Sequence, residues 1–273
     1  MTGAAFSPRR RDGGALRVGI VGAGDISAYH LTAWQRAGHA GCVAVCDRDR
    51  GRAEARAREF GIDGVYADAG AMLAEADLDI LDIATWRDSH AAFVRLGIEH
   101  GADILCQKPL APSLAAAEAL VAEAEGRVRL MVNENRRFQP PFRRIGAWLR
   151  EGAVGDVRQV NMTMHRSGYI AGPDGRRPAV ERSPRMGTEP RLLIAETFIH
   201  QLDVLRWLVG PLRVVAARGA RTEPDMPGET LATVLMETSE GAPVVLAGSF
   251  VAPGFGTVVS DRLELIGRDR KSV

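Results

Sequence analysis

The sequence predicts an α/β protein, a doubly wound parallel sheet followed by an α+β domain with an open, mostly antiparallel sheet. Three observations carry that prediction. From Leu16 to Val132, short apolar runs alternate with segments of helical length and period, the rhythm of a parallel sheet covered by crossover helices. Three of the helical segments run into a glycine, Gly61, Gly101 or Gly126, the residue that most easily takes left-handed backbone at a helix end. Beyond Pro140 the alternation stops, and strand-like segments follow one another with few helices between them.

In chain order, residues 1–15 carry Gly, Ser, Pro and three arginines without apolar periodicity and read as a disordered tail. Strands are expected at 16–21, 42–46, 80–83, 103–106 and 129–132, with helices at 26–37, 50–60, 89–100 and 113–125. These form a first domain over 16–135. The second, 136–273, opens with a helix to about Glu151 and a strand at 157–164. A long polar connection, 165–191, leads to a very apolar helix at 192–209, then to strands at 213–221, 230–237, 243–250 and 262–266.

Composition narrows the function. Lys plus Arg number 35 against 34 Asp plus Glu, so no global field draws the chain to nucleic acid or an anionic membrane, and a small-molecule partner is favoured. No apolar run has the length of a membrane span. Cys42, Cys46 and Cys106 form no CxxC pair, and no Cys/His cluster has structural-zinc spacing, so they read as buried small hydrophobes and no metal is assigned. Arg9–Arg11 are not followed by the apolar stretch an export signal needs, and the chain is expected in the cytoplasm.

The first apolar run, Val18-Gly19-Ile20-Val21, enters Gly22-Ala23-Gly24-Asp25-Ile26-Ser27 and then a helix. Gly22 permits a tight turn, Gly24 lets backbone approach a pyrophosphate, and the helix start directs N–H groups and the positive end of its dipole at the anion. Ser27 stands at the third fingerprint position, where Gly or Ala is usual, and is still small. Asp47 ends the second strand, where an acidic residue accepts the adenosine ribose hydroxyls. A carboxylate there repels a 2′-phosphate and favours NAD, while the neighbouring Arg48 leaves NADP open.

Cys106-Gln107-Lys108-Pro109-Leu110 resembles the Glu-Lys-Pro motif of the Gfo/Idh/MocA oxidoreductase family. Gly22-Ala23-Gly24 with His30 resembles that family's N-terminal fingerprint. His90 is similar to the histidine opening the helix before the motif's strand, Asn133 to Pro141 to the Arg-Phe-x-x-Pro region, and Glu196-x-x-x-His200 to the Asp-x-x-x-His helix. The resemblance spans about residues 16–267. It implies a Rossmann domain, an open-sheet α/β domain, and NAD(P)-dependent hydride transfer at a CH–OH or C=O group of a sugar, inositol or related polyol. Separately, the shortened second sheet is expected to leave a strand edge exposed, through which the chain forms a homo-oligomer. Lys108 and His200 match the family's catalytic positions, Gly22, Gly24, Asp25, Ile26, Asp47, Arg48, His90 and Gln107 its cofactor side, and Glu196 and Arg137 its substrate side. For His30 and His90 a satisfied structural role stands beside cofactor contact.

The residues support the chemistry independently. Hydride transfer from an alcohol needs a base for the hydroxyl proton and a donor for the forming carbonyl, and a lysine with a histidine supplies both. On the apolar helix, Glu196, His200 and Asp203 fall within about 60° on the helical wheel, so the stripe either faces a polar cleft or closes on itself, with Glu196 and Asp203 holding His200. Several departures from the family pattern bear on function. Gln107 replaces the motif's Glu, Glu196 replaces its Asp, and the chain ends at Val273, where family members continue, so the second domain is expected to be incomplete. The arginines of 165–191 recognise an anionic group or belong to a solvated loop; no anionic substrate is assigned. The rival reading is a non-catalytic dinucleotide- or sugar-sensing protein on the same scaffold.

Overall fold

The computed structural model describes residues 14–257 and 260–269. The chain divides after Asn133 into two compact units. Of the expected disordered tail, residues 1–13 lie outside the described residues.

The first unit runs β1 (Leu16–Val21), α1 (Asp25–Arg36), β2 (Ala40–Cys46), α2 (Arg50–Phe60), β3 (Gly64–Tyr66), α3 (Ala69–Glu75), β4 (Ile80–Ile83), α4 (Arg87–His100), β5 (Asp103–Gln107), α5 (Leu114–Ala124) and β6 (Leu130–Asn133). Every strand pairing is parallel, in the order β3-β2-β1-β4-β5-β6. Winding reverses between β1 and β4, and in such sheets ligands bind outside the carboxyl ends of the strands at that reversal. The glycine stops behave as expected, with φ of +67°, +69° and +72° at Gly61, Gly101 and Gly126. β3 and α3 were not foreseen. Gly-Val-Tyr is too short to show a period, and α3 rests on a cap in which the Asp68 side chain accepts the Ala71 N–H.

The second unit begins with a 3₁₀ turn, Arg136–Phe138, and continues through α6 (Pro140–Arg150), β7 (Val157–His165) and α7 (Pro178–Arg182). A π-helical turn, Ile194–Phe198, precedes α8 (Ile199–Val209), then come β8 (Leu212–Ala220), β9 (Leu231–Thr238), β10 (Pro243–Ser249) and β11 (Ser260–Gly267). The sheet order is β11-β7-β10-β9-β8. β7 and β10 are parallel, and the other three pairs are antiparallel. One face is covered: Ala232, Val234 and Met236 alternate inward from β9 and join Phe198, Val204 and Leu205 in a single core. A side chain such as Val204 or Leu205 contributes about 1.5–3 kcal/mol by leaving water. The opposite face leaves Val215, Leu231 and Leu235 exposed.

Two expectations need correction here. The helix 192–209 is not one α-helix, because the π turn at its start adds a residue to the local winding. The connection 165–191 is not a loose polar loop either. It contains α7, and it is anchored by Tyr169, 1% exposed and stacked on Phe250 at 4.5 Å, and by Arg177, paired with Glu223 and Asp225.

Candidate functional site

In the first unit the glycine turn lies between β1 and α1. Gly22 has φ +99° and donates its N–H to the Cys46 carbonyl at 2.8 Å, which ties the turn to the end of β2. A Cβ added there would stand 2.6 Å from the Ala84 carbonyl oxygen, so the turn is closed to any larger residue. Gly24 differs. It is the N-cap of α1 without a side-chain cap, and a Cβ on it would meet nothing within 4 Å. The open space at Gly24 and the backbone N–H groups that open α1 together form a cradle that fits a pyrophosphate. Ser27 is fully buried and its hydroxyl donates to the Gly24 carbonyl at 2.6 Å, so serine meets the packing need of the third fingerprint position.

Asp47 sits against this turn. Its Oδ2 accepts the Ala23 N–H at 2.8 Å and its Oδ1 accepts the Asp49 N–H at 2.9 Å. Each carboxylate oxygen keeps a second lone pair for a ribose hydroxyl. Asp25 and Ile26 begin α1 and are exposed, as is Arg48. Sequence reading missed Arg56, whose Nη2 donates to the Gly24 carbonyl at 3.2 Å from α2. It sits a full helical turn inside an otherwise ordinary charged helix, and nothing local marks it.

At the end of β5, Gln107 and the half-buried Lys108 follow the buried Cys106, and the Lys108–Pro109 peptide is cis. Gln107 is drawn inward: its Oε1 lies 3.2 Å from His30 Nε2 and accepts from the Asn133 amide at 3.3 Å. His30 Nδ1 donates to the fully buried Asp82 carboxylate at 2.8 Å, and Trp34 Nε1 donates to the same carboxylate at 2.7 Å. Burial pulls the His30 ring down, but the hydrogen bond and charge of Asp82, with help from Gln107, outweigh it and hold the ring above the ordinary histidine value. Both ring nitrogens of His30 thus have partners within this unit, and so do those of His90. The latter is fully buried, with Nδ1 2.9 Å from the Pro109 carbonyl and Nε2 2.9 Å from the Thr85 carbonyl, which pins the Lys108–Pro109 segment to the end of β4. Asp82 was legible in principle: an aspartate inside the apolar strand Ile-Leu-Asp-Ile requires a buried partner.

In the second unit the carboxylate on His200 is not that of Glu196. His200 Nδ1 donates to Glu134, 2.8 Å from Oε1 and 2.7 Å from Oε2, with the His200 side chain 19% exposed and Glu134 8%. The π turn explains the miss, because it moves Glu196 off the position that regular α-helical spacing assigns it. Glu196 is buried near Tyr169. Asp203 does not hold His200 either; it closes the fork of Arg137, whose Nε lies 2.7 Å from Oδ2. Burial raises the Asp203 carboxyl above its ordinary range, against the pull of Arg137 and with the added push of Glu134. Arg137, expected on the substrate side, thus has its guanidinium occupied by an ion pair. Arg136 pairs in the same way with Asp261, which also accepts from Gln201 at 2.9 Å.

Cys46 and Cys106 are buried and Cys42 is half-buried; all three are free. Burial pushes their thiols up, to about 12 for Cys42 and Cys106 and about 11 for Cys46, which leaves them inert rather than nucleophilic. Among the described residues no helix is long and apolar enough to cross a membrane.

The model of an oxidoreductase family with an NAD-binding Rossmann fold matches residues 16–134, and that of the GFO/IDH/MocA C-terminal domain matches residues 142–271. The chain belongs to the Gfo/Idh/MocA oxidoreductase family. It is 34% identical over 236 residues to a D-apiose dehydrogenase of Rhizobium rhizogenes, covering 86% of this chain and 66% of the relative. It is 30% identical over 265 residues to an inositol 2-dehydrogenase of Acidothermus cellulolyticus, covering 93% of this chain and 71% of the relative. An oxidoreductase from Agrobacterium radiobacter, solved in complex with NAD+, L-tartaric acid and magnesium, superposes with a TM-score of 0.85 at 31% identity, covering 92% of this chain and 72% of that one. The matched region is thus about two thirds of the D-apiose dehydrogenase's length.

Proposed function

We propose that this family member is an NAD-dependent dehydrogenase acting on a CH–OH group of a sugar, inositol or related polyol, the chemistry named for its D-apiose and inositol dehydrogenase relatives. Gly22, Gly24 and the first turn of α1, with Asp25 and Ile26, hold the pyrophosphate of the cofactor, and Asp47 holds the adenosine ribose. Arg48 lies at the ribose edge. When bound, the nicotinamide supplies the hydride acceptor.

The chain's own residues handle the proton. His200 accepts the hydroxyl proton as the CH–OH group is oxidised, and Glu134 fixes the ring through Nδ1, leaving Nε2 as the basic nitrogen and stabilising the cation that forms. Lys108, carried by the first unit, is assigned the stabilisation of charge that develops on the substrate. His90 and the His30–Asp82–Gln107 network hold the segment that carries Lys108. Glu196 contributes on the substrate side.

The observation that carries the reading is the Glu134–His200 pair. A sensor needs to recognise its ligand but needs no oriented base, whereas a histidine partly open to solvent and held by a nearly buried carboxylate is equipped for proton transfer. That favours the enzyme over a dinucleotide or sugar sensor. The test is NADH formation by the full chain across D-apiose, myo-inositol and other polyols, with His200→Asn as control. Absence of turnover on every member, together with tight NADH binding, would favour the sensor.

The exposed apolar face bearing Val215, Leu231 and Leu235 is proposed to meet a second copy of the chain. Dependence on the cellular NAD pool and three unpaired thiols fit a cytoplasmic protein.

A further inference from the structure

Arg166 follows the last residue of β7 and is 7% exposed. Its guanidinium stacks 3.8 Å from the centroid of Phe250 and 5.2 Å from that of Tyr169. Nη2 reaches the Thr197 hydroxyl at 3.3 Å, and Nε is buried without a partner. None of the ion pairs among the described residues involves Arg166, and the guanidinium charges acting on it, Arg182 and Arg136, are of like sign. Arg177 shows the usual solution for a guanidinium this deep: it is 8% exposed and closed by both Glu223 and Asp225.

A buried cation without a counter-charge is costly, and proteins rarely keep one without a use for it. Burial and the neighbouring arginines bring the Arg166 group down to about 10, which leaves it charged at neutral pH. Aromatic faces cover the plane of the guanidinium, so its N–H edge is the part left to recognise a ligand, and that edge matches a paired oxyanion. Thr197, which shares this edge, lies three residues before His200 on the same helical segment. We infer that Arg166 is a substrate-binding residue, and that the substrate bears an oxyanion, as a sugar acid or sugar phosphate does, in addition to the hydroxyl that is oxidised.

This inference rests on the proposed dehydrogenase reading in taking the His200 helix as substrate-facing. Matched pairs test it on the full chain with NAD: D-galacturonate against D-galactose, and D-glucose 6-phosphate against D-glucose, by kcat/KM. Thermal shift with D-gluconate against D-glucitol, at equal ionic strength, adds a readout independent of turnover. At least one anionic member is expected to be preferred by about tenfold or more, and gluconate to raise the melting temperature where glucitol does not. Arg166→Lys keeps the charge but loses the fork, and should erase most of that preference. If that variant does not fold, the exposed Arg182→Gln should weaken the preference modestly and make it less sensitive to salt. Turnover of neutral sugars with no preference for the anionic partner, or a shift that sodium sulfate reproduces in full, overturns the oxyanion while leaving the dehydrogenase reading intact. Specific binding of gluconate by a chain that oxidises nothing overturns the dehydrogenase and leaves the Arg166 site standing.

Discussion

His30 Nδ1 and the Asp82 carboxylate lie 2.8 Å apart in the interior of the first unit, and both side chains are almost fully buried. Because the folded ring is held above the ordinary histidine value, the native state keeps a proton that the unfolded chain has already released. The resulting stabilisation is fully present below the unfolded value near ~6.5 and is lost as pH rises through the raised folded value. Urea midpoints measured from about pH 6 to about pH 9 should therefore fall for the wild type. Asp82→Asn should be less stable at the acid end and should flatten the slope. A wild-type profile without slope across that window would show the ring to be neutral throughout.

The two glycines of the turn should separate fold from binding. Gly22 has positive φ and backbone 2.6 Å from any added Cβ, so Gly22→Ala should cost about 1–3 kcal/mol of stability. Gly24 has ordinary φ and open space, so Gly24→Val should melt near the wild type yet lose NADH binding, because its branches fill the cradle. Calorimetric melts paired with NADH fluorescence titration check both. Retained NADH affinity in Gly24→Val would place the pyrophosphate elsewhere.

Much of this was legible in the chain and some was not, for identifiable reasons. Strand–helix alternation, glycine stops and the position of Asp47 are local signals, and the first sheet followed from them apart from β3 and α3, which are too short to carry a period. The second sheet followed from its alternating strands. Partnerships were harder. Glu134 precedes His200 by 66 residues, and no spacing rule links them. The helical wheel offered Glu196 and Asp203 instead, because a π turn leaves no mark on a sequence whose apolar residues also fit regular α spacing. The same limit hid Asp203 as the partner of Arg137 and Arg56 beneath the glycine turn.

Cofactor choice should turn on Asp47. Its carboxylate is fixed by the Ala23 and Asp49 N–H groups and cannot swing away from a 2′-phosphate without breaking two hydrogen bonds. NADH should bind at least ~10-fold more tightly than NADPH, and Asp47→Ala should narrow the gap from both sides. Fluorescence titration of both reduced cofactors measures it. Tighter NADPH binding by the wild type would give the pocket to Arg48.

Glu134, His200 and Lys108 should separate from the cofactor residues in kinetics. Glu134→Gln keeps the size of the side chain and removes the charge that orients His200 and supports its protonated form. His200→Asn removes the base itself. Each should leave NADH affinity near the wild type and lower kcat by ~10²–10⁴, the usual worth of acid–base help. Because the two act as one unit, the double variant should be scarcely worse than either single one. Lys108→Met should lower kcat as well, with NADH affinity near the wild type. A purely structural Glu134 would show itself differently, through a lower melting temperature with kcat intact, since a buried carboxylate partner matters to packing whether or not the ring moves a proton. Thermal melts run beside the kinetics distinguish the two. Glu134→Gln turning over its substrate at the wild-type rate would remove the dyad from the mechanism and return His200 to the place of a lone base.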